Sequence, residues 1–117
     1  VYREPLLFEG SVLRKIGESF PCRLIDRVSV KGKSLAVDVY TARPSINSSE
    51  KEAWDVHAKA MESYYKKNFE NAADLFTKVR SILPEDEASQ VLFERCRQFI
   101  HNPPPANWNG SVVLREK

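Results

Sequence analysis

From Cys22 to Tyr40 apolar and polar residues alternate, whereas from Ser49 to Phe99 the apolar residues recur every three or four positions. In "PCRLIDRVSV" the alternation puts Leu24, Val28 and Val30 on one face and Arg23, Arg27, Ser29 and Lys31 on the other. Ile25-Asp26 interrupts it, as a β-bulge would. After Lys31-Gly32-Lys33, Leu35, Val37 and Val39 alternate with Ala36, Asp38 and Tyr40. Two such runs with Gly at the first position of the tight loop between them predict a β-hairpin, of type II′. A two-stranded hairpin is marginal in water, so its apolar face needs a larger sheet or helices. Ahead of it, "PLLFE" (5–9) reads as a short buried strand. "GSVLRKIGESF" then carries Val12, Leu13, Ile16 and Phe20 at helical spacing, with Ser11 to cap the start and Gly17 to end it.

The stretch "TARPSINSSE" (41–50) has Pro, Ser and Asn and no periodicity, which marks a linker. Ser49-x-x-Glu52 beyond it predicts a capping box, with Trp54, Ala58, Met61 and Tyr65 on one stripe of the first helix. Asn68 is placed to stop that helix in a left-handed conformation. A second helix carries Ala72, Leu75, Phe76, Val79, Ile82 and Leu83 and ends at Pro84. A third begins near Glu85-Asp86, whose charges suit a helix N-terminus, and carries Ala88, Val91, Leu92, Cys96 and Phe99. "NPPP" (102–105) ends it. An Asn-Gly turn then leads to a short strand around Val112 to Leu114, with Trp108 expected to pin this tail to the helices. The fold class is therefore α+β: a strand, helix and β-hairpin section over 1–45, then a three-helix unit and a short C-terminal strand over 46–117.

Composition narrows the function without naming it. The chain is 42% hydrophobic and 29% charged, as a globular chain is and a disordered one is not. Its formal charge of +2 is too balanced to argue for nucleic acid. No apolar run approaches a membrane span and no signal peptide opens the chain, so the expected compartment is the cytoplasm. Cys22, Cys96, His57 and His101 have no metal-ligand spacing, so both cysteines read as buried reduced thiols. His57, beside Trp54, reads as a packing residue rather than a base.

Trp54, Tyr64-Tyr65, Ala72, Phe76 and Pro84 resemble a tetratricopeptide repeat, with a turn one residue short; a generic helical hairpin accounts for the same pattern. Small Ala72 lets two helices approach, and aromatics fill the groove between them. One repeat cannot bury its own face, so the third helix is expected to cap it.

The succession along the whole chain is more specific. "YREPLLFEGSVLRKIGESFPCRLIDRVSVKGKSLAVDVYTA" (2–42) resembles the end of the catalytic domain of class III nucleotidyl cyclases, the adenylate and guanylate cyclases. The match rests on "DRVSVKGK" and "LAVDVY". Glu94-Arg95-Cys96, the prolines 103–105 and Trp108-Asn109-Gly110 follow in the order of the helical extension of many bacterial members. The resemblance implies a parent enzyme, an adenylate cyclase, that turns ATP into cyclic AMP and pyrophosphate with two Mg or Mn ions. Its site would lie at a dimer interface. The resemblance also implies that Lys31 approaches the triphosphate, whereas the local pattern alone makes it a solvated turn lysine.

Asp26 and Asp38 do not match the family's metal-binding aspartates, and its Asn and Arg motif would lie upstream. This chain alone is therefore expected to be inactive, with a structural or regulatory role. Its partners would be the rest of the catalytic domain and a second copy covering the hairpin edges. The alternative is a non-catalytic interaction module whose helical groove binds a protein partner near Lys66, Lys67 and Glu70.

Overall fold

The computed structural model describes residues 7–10, 17, 19–30 and 36–114. Among them the order is β1 (Phe8–Glu9), β2 (Cys22–Val30), β3 (Ala36–Ala42), α1 (Ser48–Tyr65), α2 (Phe69–Ile82), α3 (Glu87–His101) and β4 (Val112–Leu114). This is the expected α+β arrangement, with strands first and three helices after. The chain divides into two compact units. One holds the helices over 46–107 and the other the strands, with 108–114 grouped with the strands.

In the strand unit the sheet order is β1-β3-β2-β4. β2 and β3 are antiparallel, from Cys22↔Ala42 to Ser29↔Ala36, as the two alternating runs predict, while the type II′ turn expected at Lys31-Gly32-Lys33 lies outside the described residues. The expected bulge is present, with the register shifting between Leu24 and Asp26. Its effect on the faces differs from simple alternation. Arg23, Ile25, Asp26 and Val28 are all buried, while Leu24, Arg27 and Ser29 are half-buried. A bulge adds one residue and reverses strand parity, so Arg23 and Ile25 before it share a face with Asp26 and Val28 after it. Leu24 therefore does not share a face with Val28, and Arg23 is not on the open side.

β1 is a half-buried edge strand rather than a buried one, since Phe8 is half-buried and Leu7 is 45% exposed. Phe8 lies opposite Tyr40, and their rings stack with centroids 6.0 Å apart. The helix expected after Ser11 falls almost wholly outside the described residues, although Phe20, assigned to its apolar face, is exposed. β4 runs parallel to β2, pairing Val28↔Val112 to Val30↔Leu114. The tail thus joins the sheet, where the sequence pattern had attached it to the helices.

In the helical unit α1 starts two residues before the expected box. Asn47 is the N-cap: its side chain accepts from Glu50 N at 2.8 Å, and Glu50 Oε1 accepts from Asn47 N at 3.0 Å. Asn is at least as good a cap as Ser, so the helix takes in Ser48 and Ser49. The buried face of α1 is Ala53, Trp54, Val56, His57, Ala60, Met61 and Tyr64. Ala58 is exposed and Tyr65 half-buried, so the stripe lies about one position away from the one expected. Ala53, Ala60 and Ala72 have no exposed surface, which lets the short α1–α2 connection fold the helices against each other. Phe76 fills the space beside them, edge-on to His57 at 5.5 Å.

The α1–α2 junction divides its labour differently from the expectation. Lys67 takes the left-handed conformation, at φ 65°. Asn68 becomes the N-cap of α2, accepting from Asn71 N at 3.3 Å. α2 ends at Leu83 before Pro84, and Asp86 caps α3 by accepting from Ser89 N at 3.2 Å. α3 packs on α2 and buries Ala88, Ser89, Leu92 and Cys96.

Candidate functional site

Lys31, the site residue that the sequence singles out, lies outside the described residues. What the structure provides is the strand that carries it. β2 has β3 on one side and β4 on the other, and it runs to Val30, the residue before Lys31.

Arg27 is the connecting side chain of this region. Its Nε donates to Asp38 Oδ1 at 2.7 Å across the β2–β3 pair, and its Nη1 donates to the Asn109 carbonyl at 2.6 Å. The ion pair is about one-third exposed on both sides, 31% and 33%, so solvent screens it partly. Asp26 is fully buried and its Oδ1 accepts from Arg27 N at 2.8 Å. Asp38 is therefore engaged across the β2–β3 pair, and Asp26 in a bond to the next amide of its own strand. Burial, and after it the Asp38 carboxylate, push the neighbouring Tyr40 phenol above its usual range.

Cys96 and His57 sit in the interior of the helical unit, and Cys22 at the start of β2. Burial raises the Cys96 thiol from its ordinary value near 9 to about 12, with the Arg95 charge opposing, so it stays protonated at neutral pH. Cys22 is half-buried rather than buried, and burial also raises its thiol; its Sγ donates to Phe20 O at 3.3 Å. Both cysteines are free thiols. His57 is fully buried against Phe76, as a packing residue would be. No group of three His, Cys, Asp or Glu is arranged for a metal ion among the described residues.

The helical unit carries a cleft of about 310 Å³, lined among others by Lys67, Phe69, Glu70, Phe99, Ile100 and Pro103. The Phe69 and Phe99 rings meet there, with centroids 5.0 Å apart. Lys67 and Glu70, named from sequence, are here, but Lys67 Nζ already donates to the carbonyls of Pro105 (3.3 Å) and Ala106 (3.0 Å). Phe99, Ile100 and Pro103 were not foreseen as a lining. The signal was an apolar Ile100 in the last turn of α3, three residues before the proline run, at a position where a solvated helix end is usual.

No family model matches the chain, and no solved structure matches it. It is 30% identical over 110 residues to the Dictyostelium discoideum protein "Adenylate cyclase, terminal-differentiation specific". Over most of its length the chain is similar to part of an adenylate cyclase. The alignment covers 85% of this chain and only 5% of that protein, so the chain spans a small fraction of the curated relative it matches. No helix among the described residues is long and apolar enough to cross a membrane.

Proposed function

We propose that this chain is the C-terminal region of a class III nucleotidyl cyclase of the bacterial type. In this reading it forms the last strands of the catalytic domain followed by a tetratricopeptide-like helical extension. The observation that carries the reading is similarity to an adenylate cyclase over 85% of the chain. The bulged β2–β3 pair, whose first strand leads into the V-K-G-K segment, supports it. The parent enzyme would form cyclic AMP from ATP in the cytoplasm as a homodimer. Lys31 would contribute a cation to the triphosphate, where displacement at the α-phosphate concentrates negative charge on the phosphoryl oxygens.

Two Mg or Mn ions would supply further charge stabilisation in the parent. The described residues of this chain do not fit such ions, since Asp26 is buried on a backbone amide and Asp38 is held by Arg27. In this reading the metal site and the groups that orient the ribose belong to other parts of the parent. The role of this chain is to complete the sheet and present Lys31.

The test is cyclic AMP formation from ATP with Mg or Mn by the longer protein, with and without residues 1–117. The reading expects activity that disappears on removal, and no activity from this chain alone. Undiminished turnover after removal, or turnover by this chain alone, contradicts it. A second reading, a non-catalytic module that binds a protein partner, is favoured by the cleft around Phe69 and Phe99. It predicts a longer protein that turns over no nucleoside triphosphate.

A further inference from the structure

β4 is three residues long and pairs in parallel with the last three residues of β2. Parallel pairing of that length is weak by itself. A compact hook precedes it. Trp108 Nε1 donates to Ser111 O at 2.8 Å, and Ser111 N and Oγ both donate to Asn109 Oδ1, at 3.0 and 2.6 Å. Gly110 is buried at φ 93°, a conformation that side-chain-bearing residues rarely adopt. This turn presents the Asn109 carbonyl to the sheet, and Arg27 Nη1 donates to it at 2.6 Å. Asp38 on β3 fixes the same guanidinium through Nε at 2.7 Å. One cation thus joins β2, β3 and the tail.

We propose that residues 108–114 are a releasable strap, with the Arg27–Asp38 pair as its catch. Docked, the strap covers the backbone of Val28, Ser29 and Val30 along the edge of β2. Released, it leaves that edge open, while the β2–β3 ladder from Cys22↔Ala42 to Ser29↔Ala36 needs neither β4 nor the hook. Val30 directly precedes Lys31, so release would also free the strand end that leads to it. That consequence rests on the nucleotide reading above, whereas the strap itself does not.

Hydrogen exchange on the full chain tests the strap without any nucleotide. In Arg27→Met the amides of 112–114 should exchange at least about tenfold faster, with those of 37–39 unchanged. Gly110→Ala strains the hook at its positive φ, leaves the Arg27–Asp38 pair chemically intact and should give the same local pattern. If Arg27→Met unfolds the sheet, Gly110→Ala decides alone. Unchanged protection of 112–114, or a loss shared equally by 37–39 in Gly110→Ala, overturns the proposal.

Discussion

At Ile25 the chain inserts one extra residue into β2, and the parity of the strand reverses there. The break in alternation at Ile25-Asp26 was legible in the sequence. Its consequence, that Arg23 is buried and Leu24 leaves the face of Val28, was not, because alternation carries no memory of where it restarts. Cys96 shows the same limit at a helical position: its burial followed from the period, and its chemistry follows from that burial. With a folded-state value near 12 against an ordinary value near 9, the thiol holds its proton more tightly in the folded chain. Its contribution to stability is therefore full below about pH 9 and is lost as pH rises towards 12. Thiol labelling at about pH 8 should modify Cys22 well before Cys96, and Cys96→Ser should flatten the alkaline fall in stability. Equal labelling of both cysteines in the folded chain would contradict this.

The helices were legible as elements, because their three-to-four-residue period extends over several turns. Their ends were less so. Asn47, Ser48 and Ser49 can all cap, and the sequence does not rank three adjacent candidates; Glu50 reaching back to Asn47 N decides it. Asn47→Ala should cost about 1 kcal/mol in urea unfolding and Ser49→Ala close to nothing. The reverse order would restore the capping box at Ser49. Between α1 and α2, Phe76 has no exposed surface and packs on His57. Phe76→Ala should cost about 3–5 kcal/mol, read in the same unfolding experiment.

On the scale of the whole molecule, the change from period two to helical period near residue 45 was visible, while the place of the tail was not. A three-residue strand after a proline run has no periodicity to say which unit it joins, and its pairing with β2 is a long-range contact. The candidate site was legible only as Lys31 on a hairpin, since a phosphate contact depends on groups that the cyclase resemblance places upstream of this chain. The most direct test of the proposed function is ATP turnover by the parent enzyme it implies, carrying Lys31→Ala. The expected outcome is a fall in kcat/KM of roughly ten- to hundredfold with an unchanged unfolding transition. A variant that turns over ATP as well as the unaltered protein would contradict it.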